Sequence, residues 1–399
     1  MTEELFDIKN EEIENDDGED LTYSLDRFGE AVIWGTDWTT ETINSQLLKK
    51  NIDLDPTFQR RDAWTDSEKS KLIESLMLGL PVPPIILAEN KNKKNSYIVI
   101  DGKQRLLSIR RFFAEEEKEK TAFKRLKIKG LEILEDINGM YFADIEDAYP
   151  EYIRNLENQS IRTIVIKNWP DESFLYTVFL RLNTGSKKLS PQELRQALKP
   201  GAFLNYLDDA TAESETVRKM LNNSGPDPRM KDIELTLRCF AYHFFFEKYA
   251  GQLKEFLDYT CERLNNEWEE RQIEIEKFFS DYVDAIEFSY QLMDNKSPFS
   301  RYGKNANRFN RSIFELFVFY FTDSKIRELV TKEREAFLLG FREMNNDPDF
   351  IKAISGSTKM LNNLEVRFSA FRKLLSGLSD ANKISIPMLL LENGKIKIV

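Results

Sequence analysis

The fold is decided by the stretch Val99-Ile100-Asp101-Gly102-Lys103-Gln104-Arg105-Leu106, which passes from a strand pattern to a helix pattern within two residues. Tyr97 to Ile100 is a short apolar run, typical of a buried strand, and it stops at the turn-forming pair Asp101-Gly102. Helical spacing begins directly afterwards, with apolar residues at Leu106, Leu107, Ile109, Phe112 and Phe113. The stretch therefore predicts a strand that leads through a tight turn into a helix.

Upstream of this stretch, the sequence predicts two helices and a second strand. Thr40 to Lys49 has the pattern of a short helix. Thr65 with Glu68 forms a capping box for the next helix, whose apolar face is Leu72, Ile73, Leu76 and Met77 and whose end is near Gly79. Pro81, Pro83 and Pro84 cannot continue that helix, so Ile85-Ile86-Leu87 is expected to be a buried strand.

Downstream, short strands are expected near residues 126–128 and 161–166, around another helix. Ser190-Pro191-Gln192-Glu193 has Pro at a first helical position and a reciprocal cap, so a new helix opens there. Pro200-Gly201 is the expected domain boundary, because residues 202–380 have almost wholly helical patterns without a fixed repeat. Asn393-Gly394 predicts a terminal β-hairpin.

These patterns predict an α+β protein with a small mixed-sheet domain followed by a mostly helical domain. The expected parts are an acidic leader at 1–34, the mixed-sheet domain at 35–200, the helical domain at 201–382 and the hairpin at 383–399.

The net charge of −11 is concentrated in the first residues of the chain. Residues 1–30 contain twelve acids and two bases, a balance of −10, which leaves −1 for residues 31–399. The leader is expected to be a solvated, mobile arm, or alternatively a regulatory or DNA-mimicking one. A nearly neutral body provides no global basic field to hold nucleic acid, so only a local patch could contact it.

The sequence also indicates the compartment. Neither a leader of the secretory or mitochondrial kind nor an apolar run of membrane-spanning length is present, so a cytoplasmic location without a membrane partner is expected. The two cysteines, Cys239 and Cys261, are expected to be buried thiols.

The turn at Asp101-Gly102 has the residue types that attract phosphate. Gly102 allows a tight turn and close approach of a ligand, and the start of a helix attracts anions. Arg105, expected to face solvent, can bind phosphate oxygens through two parallel hydrogen bonds, and Lys103 adds a point charge. Asp101 can hold a metal ion or orient a water. As a bare pattern the turn is common, and a merely structural turn is the alternative.

Four ordered blocks resemble the N-terminal domain family of GmrSD-type restriction systems, whose signature is a D-G-Q-Q-R motif. The blocks are Phe58-Gln59-Arg60 with Trp64, Leu78-Gly79-Leu80-Pro81-Val82-Pro83-Pro84-Ile85, the Asp101 to Arg105 motif, and Phe179-Leu180-Arg181-Leu182-Asn183-Thr184-Gly185 with Leu189-Ser190 and Glu193-Leu194. The resemblance covers residues 35–200 well and extends more loosely through Asp232-Ile233-Glu234-Leu235-Thr236-Leu237-Arg238. It departs from the signature at Lys103, which replaces the first Gln.

The resemblance implies a fold similar to ParB and sulfiredoxin domains and an activity of binding and hydrolysing a nucleoside triphosphate, with Mg²⁺ assisting. Asp101, Gln104 and Arg105 would be the catalytic residues, with Asp101 also the metal ligand. The implied nucleotide-binding residues are Gln59, Arg60, Gly102, Lys103, Asn183, Thr184, Gly185 and Lys187. Full-length relatives often add an H-N-H nuclease, but this needs several histidines and the sequence has only His243, within an aromatic run, so such a nuclease is not expected.

A basic patch precedes a helix in the second domain. It consists of Arg301, Lys304, Arg308 and Arg311, with Tyr302 and Phe309 interleaved, and it either is a solvated loop or contacts nucleic-acid phosphates and stacks exposed bases.

Three functions are therefore expected to compete. The first is a nucleoside triphosphatase switch in a bacterial restriction or anti-phage system. The second is a nucleotide-gated module that binds DNA and recruits a separate nuclease or defence protein. The third is an adaptor whose motif has lost its activity.

Overall fold

The structure, a computed structural model, describes residues 31–52, 54, 64–91, 93–114, 124–171, 174–175, 178, 190–294, 296–301, 309–392 and 394–399. The described residues up to Leu198 form one compact unit, and Lys199–Val399 form a second. The first unit contains a four-stranded sheet and the second is mostly helical. The predicted α+β class is confirmed.

The first unit is built on a mixed sheet with strand order β1-β4-β2-β3. Its strands are β1 (Val32–Thr39), β2 (Ile85–Glu89), β3 (Tyr97–Asp101) and β4 (Ser160–Lys167). Its helices are α1 (Thr40–Leu48), α2 (Asp66–Met77), α3 (Lys103–Phe112), α4 (Phe142–Ala148), α5 (Pro150–Asn158) and α6 (Pro191–Leu198). β4 pairs antiparallel with β1 and parallel with β2, and β2 pairs antiparallel with β3.

Alternate residues of β2 point to opposite faces of the sheet, as the two-residue period of a strand requires. Ile85 and Leu87 pack into a core with the helices that surround α3. Ile86 and Ala88 pack on the other side, in a core that includes Leu194 of α6. The sheet is therefore buried on both faces at β2, which fixes the position of the turn that follows β3.

The predicted caps are present at the starts of two helices. Thr65 and Glu68 exchange hydrogen bonds at the start of α2. At the start of α6, the backbone N–H of Ser190 donates to Glu193 Oε2 at 2.6 Å, and the N–H of Glu193 donates to Ser190 Oγ at 3.1 Å. Each reciprocal cap satisfies N–H groups that the first turn of a helix leaves without partners.

Two sequence expectations differ from the structure. The leader was expected to extend to residue 34, but β1 begins at Val32, and Ile33 and Trp34 are strand residues. The expected strand near residues 126–128 is not a strand. There, the N–H of Leu126 donates to Arg111 O and that of Ile128 to Met140 O, so these groups bond to different segments instead of forming a ladder.

The second unit is mostly helical and ends in a hairpin. The helices are α7 (Ala202–Glu213), α8 (Glu215–Met220), α9 (Lys231–Phe245), α10 (Leu253–Asn266), α11 (Trp268–Leu292), α12 (Arg311–Phe321), α13 (Ser324–Lys332), α14 (Arg334–Met344), α15 (Pro348–Ala353) and α16 (Leu361–Ser376). The hairpin strands β5 (Leu389–Glu392) and β6 (Lys395–Ile398) pair antiparallel, as predicted.

The interior of the second unit is aromatic. α12 buries Phe314, Phe317 and Phe321, and the ring of Phe317 lies 5.1 Å from that of Phe341 and 5.5 Å from that of Phe371. Cys239 and Cys261 are buried thiols, as expected, and burial raises the pKa of the Cys239 thiol well above its ordinary value. Within the described part of the chain, no helix combines the length and apolarity that crossing a bilayer requires.

Candidate functional site

The turn between β3 and α3 is placed by the edge of the sheet. Asp101 is the last residue of β3 and pairs with Ile86, and the register of the strand pair shifts between Ile86 and Leu87. Irregularities of this kind often occur beside active sites, where they redirect a side chain. Here the irregularity lies beside the pairing of Ile86 with Asp101, where β3 ends and the Asp101-Gly102 turn begins.

Gly102 occupies a position that only glycine fits well. Its φ of 101° and ψ of 9° lie in the left-handed region. A Cβ atom there would lie 3.2 Å from Ile85 Cγ1 and 3.3 Å from Arg105 Nη2. Because glycine has no capping side chain, α3 also begins without a side-chain cap. The turn therefore brings backbone, helix start and guanidinium close together.

Arg105 is buried against this turn, which corrects the expectation that it faces solvent. Only 5% of its surface is exposed. Its Nη2 donates to Asp101 Oδ2 at 2.8 Å and to the carbonyl oxygen of Pro84 at 3.0 Å. Its Nε is buried and has no hydrogen-bond partner among the residues that the structure describes. An unsatisfied buried donor costs roughly 1–3 kcal/mol, so this N–H is poised to donate to a ligand oxygen.

Asp101 has one carboxylate oxygen engaged and one available. Oδ2 accepts from Arg105, whereas Oδ1 has no hydrogen-bond partner within the described ranges, and about a quarter of the side chain, 24%, is exposed. Mg²⁺ in nucleotide sites takes one or two protein carboxylates and completes its shell with phosphates and water. A single free carboxylate oxygen fits that need, although the described residues contain no cluster of three or more metal-binding side chains.

Lys103 does not project into the turn as a free charge. Its Nζ lies 3.1 Å from Glu193 Oε1, and the two side chains are only 5% and 3% exposed. Glu193 is the residue that caps α6 through its other oxygen, Oε2. The cap at Ser190 and Glu193 is visible in the sequence, but the partnership with a lysine 90 residues away is not. Sequence reasoning therefore missed Glu193 as a neighbour of the motif.

The region that contains this turn matches a known protein family. Residues 44–198 match the model of the N-terminal domain of the GmrSD restriction endonuclease. This stretch is similar to the N-terminal domain of that endonuclease family. The resemblance predicted from the four sequence blocks is confirmed for this region, and the match indicates involvement in restriction or defence. No curated protein matches the chain, and no solved structure matches it either.

Gln104 connects the Asp101 to Arg105 motif to α2. Its Oε1 accepts from the backbone N–H of Trp64 at 3.3 Å, just before the cap of α2 at Thr65. The side chain is half-buried. Gln104 thus helps to fix the point where α2 begins, and its predicted catalytic role stays a prediction.

Six of the predicted nucleotide-binding residues lie outside the described residues. These are Gln59, Arg60, Asn183, Thr184, Gly185 and Lys187. The structure therefore brings together Asp101, Gly102 and Arg105 of the predicted site, places Gln104 and Lys103 against α2 and α6, and leaves the other predicted contributions as predictions.

The predicted basic patch is outside residues 44–198, and only two of its four basic residues are described. Arg301 Nη1 donates to Ser355 Oγ at 2.7 Å, and Arg311 is the first residue of α12. Lys304 and Arg308 lie outside the described residues. Phe309 is 5% exposed and packs against Phe299 and Phe314, so it is not available to stack exposed bases as the sequence suggested.

His243 lies on the surface of the second unit. The plane of its ring stacks on Phe278, with centroids 4.0 Å apart, and that covered face lowers the pKa of the imidazole by desolvation although other parts of the residue are exposed. The ring contacts of His243 within the described residues are with the aromatic side chains of Phe244 and Phe278.

Proposed function

We propose that the turn from Asp101 to Arg105 binds the phosphates of a nucleoside triphosphate, and that the domain hydrolyses it as a switch in a bacterial restriction or phage-defence system. One observation carries the proposal. The buried Nε of Arg105 has no partner among the described residues, and the same guanidinium lies against Gly102 at the uncapped start of α3. A phosphate oxygen would satisfy this donor.

Three features of the turn act together on an anion. The start of α3 presents backbone N–H groups, and the α3 dipole favours negative charge there. Arg105 contributes a charge-assisted hydrogen bond from a buried position, where such bonds are stronger than in water. Asp101 holds the guanidinium in place through the 2.8 Å bond, so the arginine is already oriented before the ligand arrives.

Hydrolysis requires a water to be oriented towards the terminal phosphorus. In the proposed mechanism Asp101 and Gln104 are the polar side chains of the motif that hold this water. Mg²⁺, when bound with the nucleotide through Asp101 Oδ1, would neutralise phosphate charge. Asp101 repels phosphate in the ground state, so its contribution belongs to the reaction more than to affinity.

The test compares Arg105→Lys with Arg162→Lys. Arg162 is a matched control because it also pairs with an aspartate in the same unit, Asp37 at 3.2 Å, but on an exposed strand surface. Lysine keeps the charge but has no counterpart of Nε. We expect Arg105→Lys to weaken the affinity for ATP and GTP by tenfold or more, on the order of 1.4 kcal/mol, as for one lost charged hydrogen bond.

Calorimetric titration with and without Mg²⁺ measures affinity, and phosphate release measures turnover. Equal affinities for Arg105→Lys, Arg162→Lys and the unaltered protein would contradict the site assignment.

A second function, nucleotide-gated binding without turnover, is favoured by a different observation. Asp101 is held by Arg105 and Lys103 by Glu193, so the described part of the motif has one free carboxylate oxygen and no free lysine. Such a turn suits recognition of phosphate better than chemistry on it. In that case the helical unit would bind DNA or recruit a separate nuclease or defence protein in response to nucleotide. Saturable binding with no phosphate release would select this function over the first.

A further inference from the structure

We propose that Glu193 is a positioning residue of the nucleotide site. Its carboxylate pairs with Lys103, which weakens the attraction of that lysine for phosphate, and it links Lys103 to the start of α6. This inference rests on the proposed function of the turn. The resemblance and the family match assign no role to Glu193.

The geometry gives each oxygen of Glu193 a separate partner. Oε1 lies 3.1 Å from Lys103 Nζ, and Oε2 accepts from the backbone N–H of Ser190 at 2.6 Å. One carboxylate therefore connects the first residue of α3, in the proposed site, to the cap of α6. The pair is almost completely buried, and α6 also packs on the sheet through Leu194.

The pairing with Glu193 affects how strongly the charge of Lys103 attracts a phosphate ligand. Lys103 follows Gly102 directly, so its ammonium group is on a flexible four-carbon chain that begins at the phosphate turn. In the pair, Glu193 cancels that charge, and the attraction for phosphate falls mainly to Arg105 and the helix dipole. A triphosphate competes with Glu193 for the same ammonium, so the carboxylate weakens nucleotide binding.

The competition for Lys103 also affects α6, the helix that precedes the second unit in the sequence. α6 ends at Leu198, the last residue of its unit, and the next unit begins at Lys199. If Lys103 leaves Glu193 to bind phosphate, the cap of α6 changes. The change therefore occurs in the helix that precedes the helical unit in the sequence. The pair is thus a route by which nucleotide occupancy can be coupled to that unit, and linkage requires such coupling to act in both directions.

The decisive variant is Glu193→Gln, because glutamine can still cap a helix but cannot neutralise lysine. The probes are inorganic triphosphate and non-hydrolysable ATP and GTP analogues, titrated by calorimetry against the whole chain. We expect Glu193→Gln to lower the Kd about tenfold, because the Glu193 carboxylate no longer offsets the ammonium charge of the residue that follows Gly102. It should also lower the Tm without ligand and enlarge the ligand-induced rise in Tm, since phosphate then compensates the buried charge.

Lys103→Gln gives a second, independent measure and restores the residue of the related motif. Alone, it leaves the Glu193 carboxylate uncompensated beside the site, so affinity should fall. Adding Glu193→Gln to it should recover part of that loss, and the two effects should be non-additive. The matched control is Asp144→Asn, which alters another capping-box carboxylate of the same unit whose Oδ2 accepts from the N–H of Tyr141 at 2.9 Å.

The outcomes separate this inference from the proposed function. If the unaltered protein binds the probes and Glu193→Gln only lowers the Tm, with an unchanged Kd, Glu193 is a structural residue and the inference is overturned while the proposed function stands. If the unaltered protein does not bind any of the three probes, both proposals fail. A lower Kd for Glu193→Gln, absent in Asp144→Asn and abolished by adding Lys103→Gln, supports the inference.

Discussion

At the scale of single residues, Arg105 joins the parts of the motif that the sequence places side by side. It bonds to Asp101 four residues earlier and to the carbonyl of Pro84 on a different segment. The side chain proposed to bind phosphate therefore also holds the turn together. Removing it would change both ligand binding and stability, which is why a lysine substitution is more informative than alanine at this position.

Asp101→Asn separates the role of the carboxylate in chemistry from its role in the turn. Asparagine keeps an oxygen that accepts from Arg105 but loses the negative charge. We expect phosphate release to fall at least about tenfold, while nucleotide affinity is unchanged or increases because a repulsive charge is gone. Phosphate release and affinity are measured separately, with Asp37→Asn as the control. Equal losses in both quantities would mean that Asp101 serves the structure alone.

Gly102→Ala tests how tightly the turn is packed. The substitution combines a left-handed backbone with a Cβ only 3.2 Å from Ile85 Cγ1. Gly139 is a matched control, because its φ is +88° but nothing lies within 4 Å of a Cβ built there. We expect Gly139→Ala to lower the free energy of unfolding by about 1 kcal/mol and Gly102→Ala by roughly 1–3 kcal/mol more, the usual cost of overpacking.

Urea denaturation of the two glycine variants measures this difference. Similar losses would show that Ile85 and Arg105 move aside at no cost, and that the approach to Gly102 is less confined than the structure indicates.

At the scale of elements, the sequence predicted the helix caps, strands and turns that depend on residues close together in the chain. The caps at Thr65 and Ser190, the strand before Asp101 and the hairpin at Gly394 all depend on residues within a few positions of one another. β1 was missed because its first four residues are all exposed, so the alternation that marks a half-buried strand is absent. The segment near Leu126 was predicted as a strand because it is apolar, but its backbone partners come from distant segments.

The residues of the candidate site were likewise predicted only where they are close together in the sequence. Asp101, Gly102 and Arg105 were found because the motif is contiguous. The pairing of Lys103 with Glu193 joins residues 90 positions apart, and a single sequence contains nothing that reports such a contact. The charge that the sequence assigned to phosphate is instead balanced inside the fold.

Three helices of the second unit meet at one buried carboxylate, Glu315 of α12. It accepts from Arg238 of α9 at 3.4 Å and from Arg367 of α16 at 2.9 Å, and its side chain is 3% exposed. We expect Glu315→Gln to lower the free energy of unfolding by about 3–5 kcal/mol, because two buried guanidinium groups lose their shared counter-charge. Arg238 retains Glu234 at 2.8 Å, so the loss falls mainly on Arg367.

The control for this prediction is Glu215→Gln, which breaks an exposed pair with Lys219 in the same unit. Exposed pairs contribute little, so its unfolding curve should match that of the unaltered protein. A small effect of Glu315→Gln, comparable to the control, would show that the arginines find other acceptors and that the carboxylate does not join the three helices.

At the scale of the whole molecule, charge is distributed unevenly between the first residues and the rest. Residues 1–30 carry −10 of the total of −11. Any DNA contact by the nearly neutral remainder must come from a local patch, of which Arg301 and Arg311 are the described members. Such a contact involves few phosphates, so it is weak, and each phosphate neutralised adds about one unit to the slope of log affinity against log salt.

Deleting residues 1–30 should therefore strengthen DNA binding, because it removes a charge of −10 that repels phosphates. Fluorescence anisotropy with labelled DNA at several salt concentrations, with and without a non-hydrolysable nucleotide, compares the full chain, the truncated chain and Arg308→Ala/Arg311→Ala. If nucleotide changes DNA affinity, DNA must change nucleotide affinity by the same factor, which a reverse titration checks. Binding that is insensitive to salt and to the arginine changes would refute the patch, and no binding in any condition would direct the search to a protein partner.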